Sequence, residues 1–307
     1  MTVVVDAAHA GWRLDRFVAE AGGVSRAHAR RLVEDGHVTM GGAVGRPRQP
    51  VPEGLEVTIE VPVVDTSLVP EPVEFGVVHE DDSVIVVDKP ANLVVHPGAG
   101  HSTGTLLAGL VYRFPELAEL GEERRYGLVH RLDRDTSGLL MVGRTASAFD
   151  ELTAALAARE VTREYWGLVH GHLEAATATV DAPIARDPNR PTRMAVRAGG
   201  RPARTHFSRL AEWSEVSLIS MRLETGRTHQ IRVHSASIGH PIVGDGQYGG
   251  RLKSTIEIGR SFLHAIYLSF RHPVSGETVE FEAPLPGELV ETLASLGPPQ
   301  RGEVPGR

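Results

Sequence analysis

Residues 129–140 read VHRLDRDTSGLL, placing Arg131, Asp133, Arg134 and Asp135 within five positions, ahead of Thr136, Ser137 and Gly138. Such a cluster is ordinarily a solvated turn. Its flanks argue for more. Leu128 and Val129 precede it and the run GLLMV follows, so the loop bridges two apolar segments and its start is half buried. A carboxylate in that setting must find a cation or be neutralised. One that stays ionised can serve as nucleophile or general base. The residues alone leave Asp133 and Asp135 both open for that role. The Thr-Ser-Gly step can cap a turn or supply hydroxyls; without Gly-x-Ser-x-Gly it is weak grounds for a serine nucleophile.

A second stretch, LETGRTHQIRVH at 223–234, could supply the cation. Read as an extended segment, it projects Gln230 and Arg232 to one face and Ile231 and Val233 to the other. A strand with a wet polar face is the plain alternative. Arginine suits a carboxylate partner because it cannot give up its charge. Fifteen histidines invite a metal reading, but the spacings do not favour it. There is no His-Glu-x-x-His, His229 and His234 are five apart, and His170 and His172 are placed on one strand face with no third ligand in view. The chain has no cysteine, which excludes disulfides, thiolate metal sites and a cysteine nucleophile.

These residues need elements to hold them. The length, 307 residues with 41% hydrophobic content, predicts about two domains with sizeable cores. No apolar run is long enough to span a membrane. The N-terminal residues lack the pattern of a signal peptide, so a cytoplasmic location is expected. Net charge is −7, yet two stretches are locally basic. Residues 11–50 carry Arg13, Arg16, Arg26, Arg30, Arg31, Arg46 and Arg48, and residues 186–209 carry seven arginines against Asp187 alone. A nucleic-acid-binding face need only be locally basic.

Along the chain, RLDRFVAEA predicts a helix stopped at Gly22–Gly23, and Ser25 caps a second helix that ends at Gly36. HVTM and LEVTIEVP read as strands around a Gly41–Gly42 turn. The proline-rich residues 62–73 read as a linker between a first domain, 1–61, and a second, 74–297; residues 298–307 read as a disordered tail. In the second domain GTLLAGLVYRF predicts a helix, LLMVGRT a buried strand, and SAFDELTAALAARE an amphipathic helix capped by Ser147. TREYWGLVHGHL and SEVSLISMRLETG read as strands, and RSFLHAIYLSF as strand or helix. With no regular βαβ rhythm and no phosphate-loop glycines, an α+β fold with a mixed, largely antiparallel sheet flanked by helices is expected.

HRLDRDTSGLL, REYWGLVHG, LETGRTHQIRVH, GHPIVGD and LHA occur in that order, and together they resemble the RluA-type pseudouridine synthases. The first sixty residues are similar to the S4 RNA-binding domain carried by the ribosomal large-subunit class of that family. The resemblance runs from about Trp12 to about Pro286. It implies isomerisation of uridine to pseudouridine in RNA, most closely in large-subunit (23S) ribosomal RNA, free or in an assembling subunit. It implies no cofactor or metal, since nothing is oxidised and no group is lost, and a monomer is expected.

The family's catalytic acid falls on Asp133, leaving Asp135 as a turn carboxylate and the Arg-Leu-Asp at 13–15 as a decoy. The resemblance makes Tyr165 the active-site tyrosine, stacking on uracil, and Arg232 the partner of Asp133. Arg131 would fill the space left by a flipped uridine. Arg26, Arg30 and Arg31 in the S4-like domain, with Arg193 and Arg204 in the second basic stretch, would hold RNA. Two departures stand out: Asn92 replaces the usual glycine in KPANLVVHP, and TMGG replaces the S4 module's Val-Asn-Gly. Asparagine tolerates a left-handed backbone, so the first turn is expected to persist. A non-catalytic RNA-binding protein and a histidine-based metal hydrolase are the alternatives from other classes.

Overall fold

The computed structural model describes residues 1–60, 68–98, 103–190, 192–249 and 256–306. The chain forms two compact units, Met1–Ser67 and Leu68–Arg307. In the first, the elements run β1 (Thr2–Val4), α1 (Leu14–Ala21), α2 (Arg26–Glu34), β2 (Val38–Met40), β3 (Ala43–Val44) and β4 (Glu56–Ile59). The four strands pair antiparallel in the order β1-β4-β2-β3. Leu14, Phe17 and Val18 from α1 bury against Ala29, Leu32 and Val33 from α2, and against Val38, Val57 and Ile59 from the sheet. Helical spacing of those apolar residues drives both helices. Ser25 accepts a hydrogen bond from the His28 amide and so caps α2 as expected.

The second unit begins with β5 (Gly76–Glu80), β6 (Val84–Lys89), α3 (Leu106–Arg113) and β7 (Ser137–Gly143). It continues through α4 (Ala146–Ala157), β8 (Thr162–His170), β9 (Thr177–Asp181), β10 (Ile184–Arg186), β11 (Met194–Val196) and β12 (Arg204–Glu212). Next come β13 (Val216–Leu223), α5 (Gln230–Ser237), β14 (Leu263–Arg271), β15 (Thr278–Glu282), α6 (Gly287–Ser295) and β16 (Arg301–Gly302). A ten-stranded sheet follows the path β16-β12-β13-β8-β14-β7-β6-β5, with β9 on β12 and β15 on β14. The β7–β14 pair is parallel and the other pairs are antiparallel, so the mixed, largely antiparallel α+β architecture is what the chain adopts. Alternation along β8 sends Tyr165 and Val169 into one apolar core, with α3 and Ile231 of α5, and Trp166 and Leu168 into another, with α6.

Several local expectations change. Thr145, not Ser147, caps α4 by accepting from the Ala148 amide; both hydroxyls precede the same apolar run, and only backbone geometry chooses between them. Residues 230–237 form a helix rather than an extended segment. Residues 230 to 235 of that helix are all buried, so it carries no polar face from which its period could be read. Gly171, with φ of +73°, ends β8, so His170 and His172 do not share a strand face. The tail is not left loose: β16 pairs with Ala211 and Glu212, and the Trp213 indole donates to Gly297 O at 2.9 Å. Its short polar sequence hides this, because the pairing uses backbone groups. Of the expected linker 62–73, residues 62–67 lie outside the described residues, whereas Leu68 packs on the core beside α3. Among the described residues no helix is long and apolar enough to cross a membrane.

Candidate active site

The loop at residues 130–136 joins Val129 to β7, and each residue of its Thr-Ser-Gly step has a structural task. The Thr136 amide closes a turn on Asp133 O at 3.2 Å. Ser137 Oγ lies 2.8 Å from His264 Nδ1 on β14, whose Nε2 faces Ala283 O at 3.1 Å. Gly138 holds φ of +110°, and a Cβ there would collide with Ala265 O at 2.2 Å. Glycine is therefore what lets β7 run close beside β14. The loop's other support is Lys89, fully buried, whose ammonium donates to Pro90 O, Leu93 O and Arg134 O at 2.7, 2.9 and 3.0 Å. Burial pulls Lys89 down to about 7, with Arg260 adding to the effect and Asp133 and Asp135 opposing it. Asn92, with φ of 63°, keeps the left-handed turn beneath it.

Asp133 faces a cavity of about 560 Å³. Its Oδ2 accepts from Arg232 Nη1 at 3.1 Å, a contact spanning 99 residues of sequence. Its Oδ1 accepts no hydrogen bond among the described residues; His229 Nε2 stands 3.9 Å away. Arg232 is buried and fixed from behind. Its Nε and Nη2 donate to the two oxygens of Asp245 at 2.7 and 3.0 Å, and Nη2 also donates to Gln247 at 3.1 Å. Burial by itself would lower the guanidinium; hydrogen bonds and charge from Asp245, then Asp133, raise it above its ordinary value. A fork locked on one carboxylate thus presents its remaining N–H to another.

Helix α5 sets this geometry. His229, left-handed at φ of 56°, precedes it, and Gln230 satisfies the turn with all its bonding capacity. Its oxygen accepts from Thr225 Oγ1 and the Arg227 amide, and its nitrogen donates to Arg204 O and Thr205 Oγ1. His229 Nδ1 lies 2.8 Å from the Tyr248 hydroxyl, which also accepts from the Met194 amide. Burial lowers His229 below its ordinary value, opposed by Asp133. Tyr165, from β8, lines the same cavity, and burial raises its phenol above the ordinary value.

The fold therefore brings Asp133, Tyr165, Arg232 and Arg131 to one cavity. Asp135 points elsewhere: its carboxylate accepts from Arg134 at 2.8 Å and its backbone carbonyl from Arg260 at 3.2 Å. The expected RNA-binding arginines fare differently. Arg193 stacks over Tyr248 at 4.9 Å. Arg204 is engaged with Asp181 at 2.6 Å and Glu224 at 3.4 Å, away from the cavity. On α2, Arg26 reaches Asp15 at 3.6 Å and Arg30 pairs with Glu34 at 2.8 Å, whereas Arg31 has no carboxylate partner among the described residues. The sequence assigns no role to Asp245, Tyr248 or Lys89, and weighs His229 only as a metal ligand. Asp245 and His229 lie inside the motifs GHPIVGD and LETGRTHQIRVH, so their signal was present without a geometry to interpret it. Among the described residues no group of three or more His, Asp or Glu could hold a metal ion.

Residues 83–237 match the family model described as RNA pseudouridylate synthase, and residues 12–57 match the S4 domain. A protein of Chloroflexus aurantiacus named uncharacterized RNA pseudouridine synthase is 48% identical over 296 residues, covering 96% of this chain and 93% of its own. Ribosomal large subunit pseudouridine synthase D of Escherichia coli K12 is 40% identical over 307 residues, covering 95% and 93%. The solved structure of human RNA pseudouridylate synthase domain containing 1 aligns with a TM-score of 0.57 at 29% identity, covering 70% of this chain and 85% of that one.

Proposed function

The chain belongs to the RNA pseudouridylate synthase family, and we propose that it isomerises uridines of large-subunit ribosomal RNA with Asp133 as the reacting carboxylate. Isomerisation of uridine in RNA is the family's reaction. Support for the ribosomal target comes from relatives named for the large subunit, matched over nearly their whole length, and from the N-terminal S4 match. A ribosomal substrate goes with a cytoplasmic location. Action as a monomer is part of this reading.

The observation that carries the site is the Asp133–Arg232 pair at 3.1 Å, with Oδ1 left without a hydrogen-bond donor among the described residues. Arg232 sets a fixed positive charge against Oδ2 and leaves Oδ1 facing the cavity. That oxygen can attack C1′, attack the base, or take the C2′ proton; each route needs the same charge in the same place. A uridine inside structured RNA must leave its stack to reach it, at a cost of a few kcal/mol. Arg131, exposed and lining the cavity, would occupy the vacated position. Tyr165 offers the ring against which the base stacks.

Tritium release from ribosomal RNA labelled at uridine C5 tests this, because C5 loses its hydrogen only when the new glycosidic bond forms there. Release by wild type and none by Asp133→Asn is expected. Release by both variants would remove Asp133 from the role and turn attention to Asp135. Release from transfer RNA but not ribosomal RNA would overturn the ribosomal assignment.

A further inference from the structure

We propose that Arg163 grips the uracil ring: its guanidinium engages a carbonyl oxygen of the flipped base and carries the charge that the base acquires when its bond to the sugar breaks. The inference rests on the uridine reading above and adds a residue that contacts the base.

Four cations are buried among the described residues: Lys89, Arg163, Arg232 and Arg260. Three are satisfied. Lys89 holds three carbonyls, Arg232 holds Asp133 and Asp245, and Arg260 holds Glu288 and backbone carbonyls. Arg163 is the exception. It is 6% exposed, its Nε has no hydrogen-bond partner, and no carboxylate lies within 4.0 Å of it among the described residues. A guanidinium cannot shed its proton to relieve burial, so an unpaired one inside a protein calls for an anion or a strong acceptor. The surroundings are shaped around it. A Cβ at Gly226 would stand 2.8 Å from Arg163 Nη1, so the absent side chain is what lets the guanidinium lie against the 225–228 turn.

Its position favours a base over a phosphate. Arg163 and Tyr165 are two apart on β8, hence on one face and about 7 Å apart along the strand. Both line the cavity that Asp133 faces. A pyrimidine stacked against Tyr165 would place an edge toward Arg163. Phosphates have other partners: Arg125, Arg131, Arg159 and Arg201 line the same cavity and are exposed. The exposed cations thus form a rim that suits the RNA backbone, and of the two buried guanidinia at the cavity Arg232 is spent on Asp133 and Asp245, leaving Arg163 at the depth a flipped base would occupy.

The chemistry calls for such a charge. In the displacement route the Asp133 oxygen bonds C1′ and the N1–C1′ bonding pair stays on the ring, spreading onto the carbonyl oxygens. C5 then uses that pair to bond C1′, releasing the carboxylate. A proton finally leaves C5 and one joins N1, so no atom is gained or lost. A donor aimed at an oxygen that becomes anionic stabilises the detached state more than the intact nucleotide, and so accelerates rather than merely binds.

The test compares wild type, Arg163→Met, Arg163→Lys and Gly226→Ala in single-turnover tritium release from C5-labelled large-subunit ribosomal RNA. Filter binding of the same RNA across a salt series runs in parallel. Wild-type release shows that the uridine reading stands before any variant is judged. The expected result is a rate ~10²–10³-fold lower for Arg163→Met, the scale of losing one oxyanion donor, with Kd within about threefold of wild type. Its salt slope should be unchanged, and Arg163→Lys should recover part of the rate. Gly226→Ala, which displaces the guanidinium without deleting it, should slow release at unchanged affinity. A wild-type rate in Arg163→Met would overturn the proposal. So would weaker binding with a salt slope reduced by about one, the signature of a phosphate contact.

Discussion

The tripeptide Arg-Leu-Asp occurs twice, at 13–15 and 131–133, and the two copies end in carboxylates with opposite fates. Asp15 sits in the first turn of α1, 2% exposed. Its own tripeptide's Arg13 donates to both of its oxygens, through Nε at 3.1 Å and Nη2 at 2.5 Å, while Arg26 adds charge at 3.6 Å. Burial works to raise Asp15, but the bonds and charge of Arg13 outweigh it and hold the carboxyl below its usual range. Both oxygens are consumed. Asp133 takes its cation from 99 residues away, while its own tripeptide's Arg131 stays exposed at the cavity. Arg232 is already anchored on Asp245, so it meets one oxygen of Asp133 and leaves the other open. A carboxylate saturated by its neighbour is structural. One held by a single distant donor keeps a lone pair for chemistry.

Exchanging the two acids for amides gives the largest expected contrast. Asp133→Asn should lower single-turnover tritium release by more than about 10⁴-fold, the scale of removing a nucleophile, with unfolding midpoints unchanged. Asp15→Asn should do the reverse: a loss of about 1–3 kcal/mol in the stability of the first unit, and tritium release per folded molecule near wild type. Equal loss of catalysis in both variants would break the comparison.

Acid should separate the two units more modestly. In the second unit burial lowers His130 to about 3, with Arg163 contributing, and lowers His264 and His96 to about 4. These rings stay neutral when folded and take protons when unfolded between about pH 4 and the unfolded value near 6.5. Stability of this unit is therefore full above that window and falls as pH drops through it. In the first unit, the His9 ring's hydrogen bonds to the Asp6 and Glu20 carboxylates raise it, so its contribution is present at low pH and is lost as pH rises through its raised value. Hydrogen exchange at pH 5 against pH 7 should show the second unit's core opening more readily at pH 5. Invariant protection there would contradict the neutral buried rings.

The smallest effect concerns the arginines. Arg31→Ala should weaken RNA binding a few-fold and reduce the salt slope by about one, because its charge has no carboxylate partner among the described residues. Arg204→Ala, whose guanidinium is already shared by Asp181 and Glu224, should change the slope little. Equal slopes for the two variants would show that local pairing does not sort these arginines.

Local pattern was enough for much of the molecule. The apolar spacing of Leu14, Phe17 and Val18, the Ser25 cap and the β-branched runs specify their elements through neighbours close in sequence. The motif order also pointed to the family and to Asp133. Helix α5 is not legible in the sequence because burial of residues 230–235 erases the polar face that reveals a helix, nor is the tail's pairing, because backbone pairing leaves no side-chain signature. Which arginine meets which acid was beyond the sequence: Arg232 chooses Asp133 and Asp245, and Arg204 is spent on the sheet, through contacts between segments far apart in the chain. Residue types and their spacing determined which groups could react. Only the tertiary structure decided which oxygen of Asp133 accepts no hydrogen bond and which buried cation, Arg163, has no carboxylate partner among the described residues, because burial and charge pairing belong to the folded space and not to the chain order.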